Sequence, residues 1–200
     1  MPAIVSHKYK FIFPHVPRTG GTSLTELLKP HLGLGDISDE LLEKHQSMEI
    51  MQIGFRRNGV FHDYAKFAVV RHPFERFASL HQGYVPKCDI NDMVYQLVSG
   101  KINFKTYDFY WPIQRWLCGP DGKLLVDVIF KFEDGFKEVV HFLNTLKIPV
   151  KFEDFPHVNK GTVNNGDREY YEKQRELCTD ETIRGIQSLY AWDYEAFGYK

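Results

Sequence analysis

The sequence places an apolar run, a short turn and a helical pattern one after another, twice, and this order constrains the fold more than any other feature. The run 10–16 leads into the turn Pro-Arg-Thr-Gly-Gly-Thr-Ser, after which apolar residues return at helical spacing. The run from Ala65 to Val70 shows little alternation and ends at Arg71, and Pro73 begins the next helical pattern. Apolar runs of this kind are typical of strands buried on both faces of a parallel sheet. The order predicts an α/β layered domain with a mostly parallel sheet flanked by helices.

The remaining elements follow from periodicity and from helix-end signals. A helix is predicted from Ser23 to Lys29, because Ser23 and Glu26 have the spacing of a capping box. The other predicted elements are a short helix after Ser38, a helix from Ser47 to Ile53 closed by Gly54, a helix near Pro112 to Cys118, a third buried strand in LLVDVIFKF, a helix through Val139 to Leu146, and a helical stretch from about Thr179 to Phe197. No repeat or linker interrupts them, which favours a single domain over residues 1–200.

Charge and cysteine content exclude several classes of function. The net charge is −1 and the pI near 6.8, so a broad electrostatic footprint for nucleic acid is not expected. No segment approaches the run of about 20 apolar residues that spans a membrane, and the start lacks the pattern of a signal peptide. The three cysteines lack CxxC spacing, which argues against a disulfide framework or a zinc site. We expect a soluble protein of the reducing cytoplasm.

The first turn has the composition of an anion site. Gly20 and Gly21 permit the backbone angles and the close approach that such a site requires. Hydroxyl groups and one guanidinium surround the glycines: Thr19, Thr22, Ser23 and Arg18. A turn from a parallel strand into a helix points backbone N–H groups at one spot. An ordinary capped turn with a solvated Arg18 is the alternative, and the spacing does not match the nucleotide-binding pattern G-x-x-x-x-G-K-[ST].

A second cluster of polar residues follows the second strand. Arg71 ends the strand, and Ser79 lies eight residues later, where two helical turns can bring it back toward the strand end. These two side chains are candidates for binding a second anionic group. Arg76 is a further cation on the same helix, and a role as a surface or core-edge ion-pair partner is the alternative.

The two segments FPHVPRTGGTSL and FAVVRHPFERFASL resemble the phosphate-binding segments of sulfotransferases that use 3′-phosphoadenosine 5′-phosphosulfate (PAPS), particularly the carbohydrate-type and bacterial branch. The later PHVNKG and LYAWDYEAFGY are also similar to that family. The resemblance implies a P-loop NTPase-like three-layer fold. It also implies that residues 18–23 hold the 5′-phosphosulfate, that Arg71 and Ser79 hold the 3′-phosphate, and that Lys160 lies in a loop closing near it. Many members carry Lys where this chain has Arg18.

The resemblance further implies transfer of a sulfuryl group to a hydroxyl or amine of a small-molecule or carbohydrate acceptor, without a metal. Arg18 would stabilise the leaving group, and a histidine would accept the acceptor's proton. His45 is the first candidate for this general base and His62 the second, while His15 is expected to be packed.

Two other classes of function stay open from the residues alone. A nucleotide or nucleoside kinase would use a similar strand-loop-helix site, but it needs carboxylates for Mg²⁺ and usually a P-loop Lys. A non-catalytic module that binds PAPS or a sulfated ligand would share the donor site and lack the base. The oligomeric state is not readable from the sequence.

Overall fold

The computed structural model describes residues 3–33, 36, 46–55, 59–84, 88–102, 107–156 and 168–200. The short helix predicted after Ser38 lies outside these ranges.

A four-stranded sheet carries the predicted order of elements. Its strands are β1 (Ile4–Ser6), β2 (Phe11–Phe13), β3 (Ala65–Val70) and β4 (Val128–Lys131), in that spatial order. β1 pairs antiparallel with β2, whereas β2 with β3 and β3 with β4 are parallel. The mixed α/β architecture with a mostly parallel sheet is therefore confirmed, and β1 is an addition that the sequence analysis missed.

Helices connect and follow the strands. Those within the described ranges are α1 (Gly21–Leu28), α2 (Met48–Gly54), α3 (Val60–Asp63), α4 (Pro73–Tyr84), α5 (Ile90–Val98), α6 (Ile113–Leu117), α7 (Lys137–Thr145), α8 (Arg168–Glu176), α9 (Asp180–Leu189) and α10 (Ala191–Ala196). The predicted C-terminal helix is in fact α9 and α10, which are separated at Tyr190, where φ is −115° and ψ is 23°.

The chain divides into two compact units. The first comprises Met1–Val70 and Gln114–Asn159, and the second comprises Arg71–Ile113 and Lys160–Lys200. Each unit has its own hydrophobic core among the described residues.

Phe67 of β3 occupies the middle of the first unit's core. Its ring stacks on Phe13 with centroids 5.0 Å apart, and Phe142 of α7 lies 5.2 Å away on centroid distance. Residues 67–70 are all buried, as the uninterrupted apolar run predicted. β4 differs from its prediction: the strand covers only Val128–Lys131 and is half-buried throughout, because it is the last strand in the sheet order.

Arg76 organises part of the second unit, and of the roles considered for it the structure excludes only the surface one. Only 1% of it is exposed, and its guanidinium donates to the carbonyl oxygens of Trp111 (3.0 Å) and Phe109 (2.8 Å). Burial lowers the pKa of this guanidinium. Carbonyl acceptors recover part of the cost of burying the cation, so Arg76 holds the segment 109–111 against α4.

Asp193 and Tyr190 attach the next residues of that segment to the C-terminal helices. The buried Asp193 carboxylate accepts a hydrogen bond from the Ile113 N–H (2.7 Å), and the Tyr190 hydroxyl donates to the Tyr110 carbonyl (2.7 Å). Burial raises the pKa of Tyr190, which keeps the phenol protonated as a donor. The segment 109–113 is thus held by side chains that are distant in sequence.

Asp36 is the buried carboxylate of the first unit. It accepts hydrogen bonds from the Ser6 hydroxyl (3.0 Å) and from the backbone N–H groups of His7 (2.8 Å) and Gly33 (2.8 Å), with a longer one from Lys8 (3.4 Å). Burial alone would raise the pKa of Asp36, but these donors favour the ionised form and bring the pKa below its ordinary value. Asp36 therefore ties the turn between β1 and β2 to the chain that follows α1.

We predict that Asp36→Asn removes part of the acid sensitivity of the fold. Because the folded-state pKa is depressed, the carboxylate's contribution is complete above the unfolded pKa of about 3.9 and is lost as pH falls through the folded value. The variant should lose about 1–3 kcal/mol of unfolding free energy at pH 7. Urea titrations between pH 2 and 7 should show the two proteins converging in acid, and the exposed Asp154→Asn should behave like the wild type. An unchanged difference at pH 2 would contradict this role.

Candidate active site

The first candidate segment is the turn between β2 and α1, in the first unit. β2 ends at Phe13, the turn covers residues 17–20, and α1 begins at Gly21. Since β2 and β3 are parallel, this turn leaves the carboxyl edge of the sheet, the edge where ligands of open α/β folds bind.

Gly20 is the N-cap of α1 and has a conformation that other residues rarely adopt. Its φ is 82°, and a Cβ atom placed on it would overlap Cζ of Phe136 and lie 3.1 Å from Cε2 of Phe132. Both the backbone angle and the aromatic rings therefore require glycine here.

Gly21 is required by packing alone. A Cβ atom on it would lie 2.7 Å from Cδ2 and 2.8 Å from Nε2 of His15. His15 is 5% exposed, so it is packed as expected, and its ring fills the space that a side chain at the start of α1 would need. The two glycines bring the backbone of the turn against rings from three other positions.

The predicted capping box is wrong. α1 starts at Gly21, two residues before the predicted cap, and its N-cap is Gly20 without a side-chain hydrogen bond. Ser23 lies inside the first helical turn and is buried, while Glu26 pairs with Lys29 instead. The left-handed angle at Gly20 lets the chain enter the helix directly, so a side-chain cap at Ser23 is not used.

The polar residues of the turn have different roles. Thr19 is buried, and its hydroxyl donates to the Val16 carbonyl (2.9 Å), which closes the turn. Arg18 is half-buried and has a φ of 65°, an uncommon angle for a residue with a side chain. Thr22 is half-buried at the first turn of α1.

The second candidate segment begins the second unit. Arg71 directly follows β3, is 1% exposed, and lies 3.6 Å from the Glu75 carboxylate (Nη2 to Oε2). Its guanidinium carbon lies 4.9 Å from the ring centroid of Tyr171 on α8. Ser79 is fully buried on α4, whose first residue is Pro73 as predicted. Sequence reasoning missed Glu75 and Tyr171, since the first looks like a surface residue and the second is a hundred residues away in the chain.

His62 does not lie with the first turn. It is exposed on α3, which precedes β3, so it is at the amino end of that strand. The turn after β2 is at the carboxyl end of the neighbouring parallel strand, which is the opposite edge of the sheet. His45 and Lys160 lie outside the described residues, and the structure does not place them.

Lys131 is a cation at the carboxyl edge that the sequence analysis did not single out. It is the half-buried last residue of β4 and pairs in register with Val70. The signal in the sequence is a lysine in a strand of otherwise apolar residues. Glu133 and Asp134 follow on an exposed helical turn, Phe132–Asp134.

Two features are absent from the described ranges. No group of three or more His, Cys, Asp or Glu side chains is arranged to hold a metal ion among these residues. None of the helices described is both long enough and apolar enough to cross a membrane.

A mixed α/β fold with a glycine turn at the carboxyl edge is common to several classes of transferase. The sequence model of the sulfotransferase family matches residues 1–200, and the chain belongs to this family. Its members transfer a sulfuryl group and generally take it from PAPS. Neither the curated proteins nor the solved structures gave a significant match to the chain.

We predict that the glycines of the turn cannot be replaced without loss of stability. Gly20→Ala should cost about 2–4 kcal/mol, from the left-handed angle and the displaced Phe136 ring, and Gly21→Ala about 1–3 kcal/mol from the contact with His15. Gly54→Ala is a matched control, because it ends α2 and no described atom lies within 4 Å of its Cβ position. Thermal and urea unfolding should show a loss of stability for Gly20→Ala and Gly21→Ala only. Equal stability of all three variants would refute the packing argument.

Proposed function

We propose that the protein is a PAPS-dependent sulfotransferase that transfers the sulfuryl group to a hydroxyl or amine of a small-molecule acceptor, with carbohydrates as the first class to test. Membership of the family supports the reaction type, and the turn at the carboxyl edge of the sheet supports a phosphorylated donor. The observation that carries the proposal is the left-handed angle at Gly20, which turns the chain directly from the carboxyl edge of the sheet into α1. The first helical N–H groups therefore begin at that edge.

The turn at residues 18–23 is proposed to hold the 5′-phosphosulfate. The N–H groups of a helix's first turn make no bonds inside the helix, and the positive end of the helix dipole favours an anion. Thr22 adds a hydroxyl at this turn. The left-handed angle at Arg18 costs of order 1 kcal/mol, and strain of this kind concentrates at functional sites.

Arg71 is proposed to hold the 3′-phosphate, together with Ser79. β2 and β3 are neighbouring parallel strands, and Arg71 is the first residue after β3. A planar guanidinium suits bidentate binding of phosphate oxygens. Lys160 is proposed to contribute a further positive charge.

The reaction needs little from the protein beyond positioning and charge stabilisation. The acceptor oxygen forms a bond to sulfur as the bond between sulfur and the 5′-phosphate oxygen breaks. The acceptor's proton passes to a histidine, and the negative charge develops on the leaving adenosine 3′,5′-bisphosphate, near Arg18. We propose His45 as this base, since His62 lies at the opposite edge of the sheet.

The direct test is incubation with PAPS in the absence of added metal, with release of adenosine 3′,5′-bisphosphate measured against sugars, phenols and lipids. Acceptor-dependent release supports the proposal. Tight PAPS binding without turnover would indicate a binding module, and Mg²⁺-dependent consumption of ATP would indicate a kinase.

The two arginines should affect different parameters. Arg71→Ala should weaken PAPS binding about 10- to 100-fold by removing charge-assisted hydrogen bonds. Arg18→Ala should lower turnover by about 10²–10³ with a smaller effect on binding, because its role is to stabilise the leaving group. Equilibrium binding and single-turnover rates measure the two separately, and equal effects on both parameters would contradict this division.

Substitutions of His45 and His62 should differ in their effect on turnover. His45→Ala should lower turnover by about 10²–10⁴, the range of a general base, with PAPS affinity retained. His62→Ala is the matched control and should keep full turnover, because its side chain is exposed at the opposite edge. Loss of turnover in His62→Ala with full activity in His45→Ala would overturn the assignment.

A further inference from the structure

Arg71 has an unusual environment for a buried cation. The aromatic face of Tyr171, itself 4% exposed, lies under its guanidinium at 4.9 Å. The Glu75 carboxylate is 3.6 Å away, which is too long for a hydrogen bond but close enough for charge pairing. The side chain of Glu75 is 28% exposed, so this carboxylate can turn toward water.

We propose that Tyr171 is a positioning residue that orients the Arg71 guanidinium for the 3′-phosphate, and that Glu75 is a counter-ion which this phosphate replaces. The inference rests on the proposed function, because it takes the 3′-phosphate as the ligand of Arg71.

The role of Tyr171 follows from the geometry of the contact. A cation over a ring face is stabilised by the ring's quadrupole and spends none of its N–H groups on that face. The ring contact therefore limits the positions that the guanidinium can take, and bidentate binding of a phosphate depends on that position.

A second contact fixes α8 relative to α4. The Arg175 guanidinium of α8 lies over the Phe74 ring of α4, with its carbon 5.8 Å from the centroid. In the contact between Arg71 and Tyr171, α8 supplies the ring and the chain just before α4 supplies the arginine. The two contacts hold the Tyr171 ring beside Arg71.

The role of Glu75 follows from charge. A buried cation needs a compensating negative charge, and Glu75 supplies it while the ligand is absent. A bound phosphate dianion supplies more negative charge than Glu75 does. The Glu75 carboxylate is then a like charge beside the ligand. Glu75 therefore weakens binding of the 3′-phosphate specifically and stabilises the free protein.

The test measures the dissociation constants of adenosine 3′,5′-bisphosphate and adenosine 5′-monophosphate by calorimetry. The constant of the monophosphate divided by that of the bisphosphate is the ratio that isolates the 3′-phosphate. Tyr171→Leu should lower this ratio about 5- to 30-fold, the range of a desolvated cation–π contact. Tyr171→Phe, which keeps the ring, should restore most of the discrimination. Glu75→Gln should raise the ratio about 3- to 10-fold by removing a like charge.

Glu169→Gln, an equal change of charge on an exposed residue of α8, serves as the control and should leave the ratio unchanged. If Glu75→Gln does not raise the ratio while the wild type discriminates between the nucleotides, this inference is overturned and the proposed function stands. If the wild type binds both equally, the 3′-phosphate assignment fails and the inference fails with it. If Tyr171→Leu does not fold, the result for Glu75→Gln alone decides whether the inference holds.

Discussion

The packing of aromatic rings against Gly20 and Gly21 is the contact on which the candidate donor site depends. Phe136, Phe132 and His15 occupy the volume that side chains at these positions would fill. The rings come from the segment just before the turn and from the chain after β4, so the packing around the turn combines local and distant parts of the sequence. A strand-to-helix turn of this kind is a product of tertiary packing as much as of local glycine geometry.

The two buried arginines of the second unit have different environments, and the difference is informative about function. Arg76 donates to two carbonyl oxygens, an arrangement that holds a segment of chain in place. Arg71 instead lies on an aromatic face with a partly exposed carboxylate beside it. The first arrangement is complete without a ligand. The second places a buried charge beside a carboxylate whose side chain is 28% exposed.

Much of the fold could be predicted from the sequence because the strongest signals were local and periodic. The run from Ala65 to Val70, the proline at the start of α4, and the apolar faces of α4 and α7 all appear where the pattern placed them. The errors came where local signals competed. Ser23 and Glu26 had the spacing of a cap, but Gly20 could start the helix earlier; β1 was too short, at three residues, to give a period.

The sequence by itself determined the family and the two segments proposed to hold the donor, since these depend on residue types at close spacing. Only the tertiary structure decided which side chains serve those segments. It brought Tyr171 under Arg71, placed His15 against Gly21, and separated His62 from the first turn by the length of a parallel strand. The first relation joins residues far apart in the chain, the second depends on how the turn folds back on His15, and the third depends on strand direction. No local pattern of residue types contains that information.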